Sequence, residues 1–280
     1  MTLQLLISTL DNGINSVAQL VLPQREGIGY VVSWQHSGDE EIDLPVELQR
    51  PDVEVYNLQG RGLSRNRNNA IKHATADVCL IADDDCRYTH EQLQAVLNTF
   101  EQTPNVDIAT FRYSSEGHKK YYPARIEDLS TYPKGYYVSS IEIAFKRERI
   151  LGKLWFNEHF GLGAKVLHCG EENIFLRDAI AMGMNCKFFP ITIVADQDPF
   201  VTIERDKEPG TLMTYGAELQ LYKPGTKYLR GVLKAWRLKK QRKVPFFHAM
   251  KHILKGINYI KLHPEIKDCK PECDFRTPGL

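Results

Sequence analysis

The chain has 280 residues, of which 42% are hydrophobic and 25% charged, and its formal net charge is +1. This composition is ordinary for a soluble globular protein, and the near-neutral charge argues against nucleic acid as a partner. No apolar run approaches the roughly 18 residues that span a bilayer, and "MTLQLLISTLDNG" lacks the positive segment of a signal peptide. The six scattered cysteines favour reduced thiols and a cytoplasmic location.

Apolar runs that alternate with helical patterns predict an α/β fold in the first part of the chain. The predicted strands are "LQLLIST", "GIGYVVSW", "VEVYNL" and "DVCLIA", and the predicted helices are "SVAQLVL", "GLSRNRNNAIKHATA" and "THEQLQAVLNTFEQT". Thr89 is the expected N-cap of the last helix. This order predicts a mostly parallel sheet with helices on both faces, in which ligands bind beyond the carboxyl ends of the strands.

The middle of the chain predicts more sheet and one well-marked helix. Strands are expected at "DIATFRYSS", "YYVSSIEIAFKRE" and "CKFFPITIVA". The segment "EGHKKYYPARIEDLSTYPKG", rich in Tyr, Lys and Pro, predicts a long loop over the site. "GEENIFLRDAIAMG" predicts a helix that begins with acidic residues and ends at Gly183.

The composition changes in residues 225–262, where basic residues accumulate and no acidic residue occurs between Glu218 and Glu265. Apolar and aromatic residues interleave with the cations, which predicts two basic amphipathic helices separated at Pro245 and suited to an anionic membrane surface. The alternative is a helical bundle that packs on the main domain and leaves a basic face in water. We expect a main domain at residues 1–205 and a C-terminal helical appendage at residues 206–280.

Three consecutive aspartates, Asp83, Asp84 and Asp85, follow an almost wholly apolar strand. Adjacent carboxylates repel one another, so they require either an exposed turn or a bound cation. The apolar strand before them places them at the edge of a cleft. Hard oxygen ligands on a short segment suit Mg²⁺ or Mn²⁺ bound together with substrate phosphates.

The segment "GLSRNRNNAIKHATADVCLIADDD" resembles the family-2 glycosyltransferases with the GT-A fold. In that family a Gly-x-Ser-x-x-Arg-Asn element opens a helix, and a hydrophobic strand ends in an Asp-x-Asp motif. Here Arg67-Asn68 and Asp83-x-Asp85 occupy these positions. "FNEHFGLGAKVLHCGEENIFLRDAIAMG" is similar to the acceptor-side block of the family, and the resemblance covers roughly residues 3–198.

The resemblance implies a site for a nucleotide-diphosphate sugar, with UDP as the first choice of nucleotide. Asp85 and Asp83 would hold Mn²⁺ or Mg²⁺, which stabilises the leaving diphosphate, and Asp83 or Asp84 would alternatively contact the ribose. Arg67 would bind the diphosphate, or form a salt bridge. Three further polar residues follow the first two strands, where the nucleoside is expected: Thr9, Asp11 and Gln35.

The acceptor side carries two departures from the family pattern. Glu172 matches the usual catalytic Asp, with Glu171 holding the acceptor, but the longer Glu side chain leaves an exchange of the two roles open. The helix N-terminus favours an ionised carboxylate there, suited to a general base. Many relatives place a His after the final strand, whereas this chain has "IVADQDPF", so Asp196 is the candidate third metal ligand.

These features predict an inverting hexosyltransferase that uses a hydroxyl of a glycan or lipid-linked glycan as acceptor, at the cytoplasmic face of the membrane. A nucleotidyltransferase is a second hypothesis, but "STLDNGINS" lacks the Gly-rich basic loop that would hold a triphosphate. A nucleotide-sugar-binding protein with weakened catalysis is the third, because the His is absent and Glu replaces Asp.

Overall fold

One mixed β-sheet forms the centre of the molecule. The computed structural model describes residues 1–36, 43–115, 120–133, 135–196 and 207–268. The strands in these residues are β1 (Leu3–Leu10), β2 (Ile28–His36), β3 (Val53–Gln59), β4 (Val78–Asp83), β5 (Cys86–Arg87), β6 (Ile108–Ser115), β7 (Glu127–Asp128), β8 (Ile143–Lys146) and β9 (Cys186–Asp196). Their order is β3-β2-β1-β4-β8-β6-β9-β5, and β7 pairs with β9.

The strands β1 to β4 form one parallel part of the sheet, and β6 and β9 form a second parallel pair. β1 pairs in parallel with β2 and β4, and β2 pairs in parallel with β3. Their carboxyl ends therefore lie along one edge, as ligand-binding α/β sheets require. β8 runs antiparallel to both β4 and β6, so the sheet becomes mixed beyond β4.

Helices cover both faces of the sheet, which confirms the predicted α/β class. The helices are α1 (Ile14–Leu20), α2 (Leu63–His73), α3 (His90–Gln102), α4 (Arg147–Ile150), α5 (Glu171–Ala181), α6 (Pro209–Tyr222), α7 (Lys227–Lys240) and α8 (Phe246–Leu262). Successive β1 residues pack into different clusters: Leu5 packs with residues of α1 and α3, whereas Leu6 packs with residues of α2 and α5. Since side chains alternate along a strand, these clusters lie on opposite faces.

The predicted start of α3 is confirmed. Thr89 is its N-cap and forms a capping box with Gln92: the backbone N–H of Gln92 donates to Thr89 Oγ1 at 3.3 Å, and the backbone N–H of Thr89 donates to Gln92 Oε1 at 2.8 Å. Each bond satisfies a backbone donor that the helix leaves without an internal partner.

The strand predicted at "YYVSSIEIAFKRE" is shorter than expected. A 3₁₀ turn, Ser140–Glu142, precedes β8, and the backbone N–H of Ser139 donates to Glu142 Oε2 at 2.8 Å. This side-chain bond competes with the sheet ladder and delays the start of the strand. The preceding loop is described except for residues 116–119 and 134.

The C-terminal helices pack against each other and against the sheet domain. α7 and α8 confirm the predicted helix pair, and Pro245 is the N-cap of α8. Ile260 of α8 and Ala217 of α6 share an apolar cluster with Phe160 and Ile174, so the alternative given for this segment, packing on the main domain, holds for its inner faces. Within the described residues, no helix is both long and apolar enough to cross a bilayer.

Two glycines allow α6 and α8 to approach backbone to backbone. A Cβ on Gly216 would lie 2.0 Å from the Ile253 carbonyl oxygen, and one on Gly256 would lie 1.9 Å from the Met213 carbonyl oxygen. Such distances are far below van der Waals contact, and a carbonyl within a helix cannot turn aside. Each glycine therefore lies where any side chain would separate the two helices.

We predict that Gly256→Ala destabilises the protein by at least about 2 kcal/mol, because overpacking outweighs the higher helix propensity of Ala. Gly225→Ala is the matched control, since a Cβ there meets no atom within 4 Å. Urea unfolding measures both variants. A Gly256→Ala midpoint equal to that of the wild type would show that the helices do not need this close contact.

Candidate active site

A cavity of about 360 Å³ opens at the carboxyl ends of β1, β2 and β4. The parallel register places Ser8 beside Asp83 and Leu10 beside Gln35, so side chains from three strands meet there. The residues that line it are Ser8, Thr9, Leu10, Gln35, Arg61, Gly62, Leu63, Asn66, Asp83, Asp84, Asp85, Leu162 and Gly163.

The three consecutive aspartates all line this cavity, and two of them have different polar partners. Asp84 Oδ2 accepts a hydrogen bond of 2.5 Å from Thr9 Oγ1, and burial raises the pKa of Asp84. Asp83 Oδ1 accepts a hydrogen bond of 2.9 Å from Arg67 Nη2. A Cβ on Gly13 would lie 2.3 Å from Asp84 Oδ2 and 2.5 Å from Thr9 Oγ1, so a side chain at this position would displace the pair. The repulsion among the carboxylates is thus offset partly by protein donors.

Of the residues predicted to surround the nucleoside, Thr9 and Gln35 line the cavity and Asp11 does not. Asp11 Oδ2 instead accepts a hydrogen bond of 2.9 Å from Arg61 Nη2, and Arg61 lines the cavity. The side chain of Arg61 is 63% exposed. A largely exposed guanidinium, paired with Asp11, therefore forms part of the cavity wall.

Arg67 does not line this cavity. Its buried side chain forms ion pairs with two carboxylates. Its side chain is 2% exposed. Nη1 donates to Glu171 Oε1 at 2.8 Å, and Nη2 donates to Asp83 Oδ1 at 2.9 Å and to Ser140 Oγ at 2.8 Å. Burial lowers the pKa of Arg67, but the charges of Asp83 and Glu171 outweigh burial and raise it. The guanidinium therefore joins the aspartate motif to the start of α5.

The two adjacent glutamates at the start of α5 have different surroundings. Glu171 is bound by Arg67, whereas Glu172 Oε2 is buried and has no hydrogen-bond partner among the described residues. Burial, and then the neighbouring charge of Glu171, raise the pKa of Glu172 well above its ordinary value. The helix N-terminus was expected to keep a carboxylate here ionised, but for Glu172 desolvation outweighs that effect.

A second cavity of about 310 Å³ adjoins the first and shares Leu162 and Gly163 with it. Its remaining lining residues are Ala164, His168, Cys169, Glu208 and Thr211. Cys169 lies close enough to Glu172 for that carboxylate to raise the pKa of its thiol, after the larger effect of burial. Glu172 therefore lies near the second cavity and not in the wall of the first.

The aspartates suit a cation that binds together with a phosphate. Within the described ranges, no group of three or more His, Cys, Asp or Glu side chains is placed to hold a metal ion. Mg²⁺ commonly uses one or two carboxylates and completes its shell with substrate phosphates and water, so Asp83 and Asp85 fit that mode. Asp196 pairs with Cys86 in the sheet, which places its backbone beside the motif, and its side chain lies outside the described part.

Sequence reasoning missed Arg61, Asn66 and the Leu162–Gly163 wall. The rule that ligands meet the residues after parallel strands would have indicated Arg61, since "QGRG" directly follows β3. Asn66 donates to the Thr9 carbonyl oxygen at 3.0 Å. Leu162 and Gly163 lie in the segment that is similar to the acceptor-side block of the family, but nothing in that segment indicated that they would line this cavity.

A parallel sheet edge that carries an acidic motif, a cationic side chain and a separate acidic helix start is the arrangement expected of the GT-A class from the sequence motifs. The family model "Glycosyl transferase family 2" matches residues 9–164. The chain therefore belongs to glycosyl transferase family 2, which confirms the family and the fold that the motifs implied. No curated protein matches the chain by sequence.

Solved structures of S. aureus TarS share the fold. TarS 1-349 superposes with a TM-score of 0.55 at 15% identity, covering 79% of this chain and 66% of that one. Its complex with UDP-GlcNAc gives 0.56 at 15% identity (79% and 67%), and its complex with UDP gives 0.55 at 14% identity (92% and 81%). The matched part thus covers between 66% and 81% of TarS 1-349, and 40% of the longer TarS chain.

We predict that Arg67→Lys lowers the free energy of unfolding by about 3 kcal/mol, because a single lysine ammonium cannot replace the two guanidinium nitrogens that each bind one buried carboxylate. Arg149→Lys is the control: it exchanges the same residue types in a pair with Asp107 whose arginine is 47% exposed, and should cost less than about 1 kcal/mol. Urea unfolding compares them. Equal losses in the two variants would contradict the ion-pair assignment.

Proposed function

We propose that the protein is an inverting glycosyltransferase that moves a hexose from a UDP-sugar to a hydroxyl group of a glycan or lipid-linked glycan. The single observation that carries this proposal is the bridge of Asp83, Arg67 and Glu171, which links the wall of one cavity to the helix start beside a second. A transferase needs two neighbouring sites, one for the donor and one for the acceptor.

The donor is assigned to the cavity at the strand ends. Thr9, Gln35 and Asp84 supply polar groups for the nucleoside, and Arg61 supplies a guanidinium that can bind a diphosphate through two parallel hydrogen bonds. Arg61 takes over the role first expected of Arg67. Arg67 is buried, with Nη1 and Nη2 both bound to protein oxygens, whereas Arg61 is 63% exposed and is bound to Asp11 through Nη2. The TarS complexes with UDP and UDP-GlcNAc, which share the fold, support UDP as the nucleotide.

Asp85 and Asp83 would hold Mn²⁺ or Mg²⁺, with Asp196 as the candidate third ligand. When bound, the ion would supply charge stabilisation to the leaving diphosphate. Protein side chains orient the donor: Arg61 binds the diphosphate, and Asp84, held by its hydrogen bond from Thr9, lines the cavity with its carboxyl group.

Glu172 is the proposed general base. Arg67 forms an ion pair with Glu171, whereas Glu172 Oε2 has no donor within the described chain. In the transfer step Glu172 takes the proton of the acceptor hydroxyl, the hydroxyl oxygen forms a bond with the anomeric carbon, and the bond from that carbon to the diphosphate oxygen breaks. Attack from the face opposite the leaving group inverts the anomeric configuration. Glu171 forms an ion pair with Arg67, and this ion pair helps to position the acceptor side of the site.

The acceptor is assigned to the second cavity, which meets the first at Leu162 and Gly163. Its lining combines apolar Leu162 with His168, Glu208 and Thr211, a mixture that suits a sugar with one apolar and one hydroxyl-bearing face. We also propose that residues 1–205 form the transferase unit and residues 206–280 a C-terminal helical unit that completes this cavity through Glu208 and Thr211.

We predict that Mn²⁺ binds measurably only when UDP is present, because the protein offers two carboxylates and the nucleotide offers the phosphate oxygens. Asp85→Asn should weaken Mn²⁺ binding in the presence of UDP at least about tenfold, and Asp43→Asn, an exposed aspartate, should leave it unchanged. Isothermal titration calorimetry measures both. Tight Mn²⁺ binding without nucleotide, unaltered in Asp85→Asn, would contradict the assignment.

We predict that Glu172→Gln lowers kcat roughly 10²- to 10⁴-fold and leaves UDP affinity unchanged, as loss of a general base requires. Since burial raises the pKa of Glu172, the base is protonated at low pH, and kcat should rise with pH along a limb well above the ordinary glutamate range. Glu171→Gln should instead lower stability and move that limb to lower pH, because the charge of Glu171 contributes to the raised pKa of Glu172. Transfer assays across pH separate the variants; an unaltered profile in Glu172→Gln would exclude it as the base.

A further inference from the structure

The outer face of α7 carries large apolar side chains that remain exposed. Positions separated by three, four, seven or eight residues share one side of a helix, and the exposed apolar residues follow this spacing. They are Tyr228 (50% exposed), Leu229 (64%), Val232 (42%), Leu233 (53%) and Trp236 (56%). The opposite side of α7 is buried through Gly231, Ala235 and Leu238. We call the five exposed side chains the outer stripe.

The adjacent helix α8 also carries exposed apolar side chains. Lys261 Nζ donates to Tyr228 Oη at 2.8 Å, which places the end of α8 beside the start of α7. Phe247, at the other end of α8, is 85% exposed, and Leu262 is 77% exposed. Two antiparallel helices therefore present apolar groups to solvent, and a soluble protein rarely leaves such a contiguous apolar surface without a binding role.

Cations surround these apolar groups. Arg237 and Lys240 follow Leu233 and Trp236 by one helical turn, and Lys240 Nζ lies 5.5 Å from the centre of the Trp236 ring. The basic residues between Glu218 and Glu265, where the sequence has no acidic residue, are Lys223, Lys227, Arg230, Lys234, Arg237, Lys239, Lys240, Arg242, Lys243, Lys251, Lys255 and Lys261. An occupant of this surface must therefore be both negatively charged and apolar.

We propose that the outer stripe binds an anionic lipid membrane, with α7 lying in the plane of the interface. Apolar side chains would enter the boundary between headgroups and acyl chains, and the flanking Lys and Arg would meet lipid phosphates. Trp and Tyr are favoured at that depth, because one end of each ring is apolar and the other is polar. A second copy of the chain is disfavoured, because the two basic surfaces would repel each other.

Vesicle sedimentation with the full chain tests the proposal. Vesicles of phosphatidylcholine with about 30 mol% phosphatidylserine should bind the protein at about 0.1 M salt, whereas neutral vesicles should bind it at least tenfold more weakly. Trp236 emission should shift to the blue on binding, because the ring leaves water. The triple variant Leu229→Ser, Leu233→Ser, Trp236→Ser should lose at least tenfold in vesicle affinity.

A matched triple variant controls for general loss of exposed apolar surface. Val46→Ser, Ile126→Ser, Met182→Ser removes side chains that are 72%, 56% and 53% exposed on the transferase unit, and it should bind vesicles like the wild type. A charge variant, Arg230→Gln, Arg237→Gln, Lys240→Gln, should lose about fivefold per removed cation on anionic vesicles and nothing on neutral ones.

Three outcomes would overturn the proposal: no binding to anionic vesicles, an equal loss in the control variant, or a concentration-dependent oligomer in light scattering that the outer-stripe variant abolishes. The last would assign the stripe to self-association. Unfolding curves of all variants establish that the fold is retained. UDP binding measured on the same samples keeps this result separate from the transferase proposal, because no residue of the outer stripe lines either cavity.

Discussion

The buried guanidinium of Arg67 is the interaction on which the site depends. A charge that is 2% exposed is tolerated only when partners replace its water, and here two carboxylates and a hydroxyl do so. Those partners come from β4, from the start of α5 and from Ser140, which are far apart in the sequence. Leaving any of these partners unpaired would cost free energy, and this cost fixes their positions relative to one another. The same ion pair that stabilises the fold therefore sets the separation of the two cavities.

α2 supports this centre with an unusual buried face. Its buried residues include Ser64, Asn66, Asn68 and Asn69 as well as Arg67, so its first turns pack by hydrogen bonds instead of apolar contact. Asn68, for example, donates to the Phe156 carbonyl oxygen and accepts from the Phe156 N–H, both at 2.8 Å. Directional bonds of this kind allow one geometry only, whereas an apolar face tolerates small shifts. Such rigidity suits a helix that positions catalytic groups.

The sequence predicted local features well and long-range partners poorly, for physical reasons. An apolar run followed by carboxylates defines β4 and its end, and a Thr with Gln three residues later defines the start of α3, because both signals lie within a few residues. The buried face of α2 consists of polar residues, which on most helices face water. An apolar periodicity therefore could not reveal that this face is buried. The close approach at Gly216 was equally hidden, since it depends on which helix crosses at that point.

The contrast between Glu171 and Glu172 shows how one neighbour separates two identical side chains. Both begin α5, and both feel the same helix terminus, so sequence reasoning left an exchange of their roles open. Arg67 binds only Glu171, and Glu172 keeps a buried oxygen without a donor in the described chain. Burial disfavours the charged form of a carboxylate, and it raises the pKa of Glu172. The direction of one guanidinium therefore leaves an oxygen of Glu172 without a donor, which supports the proposal that Glu172 accepts the proton.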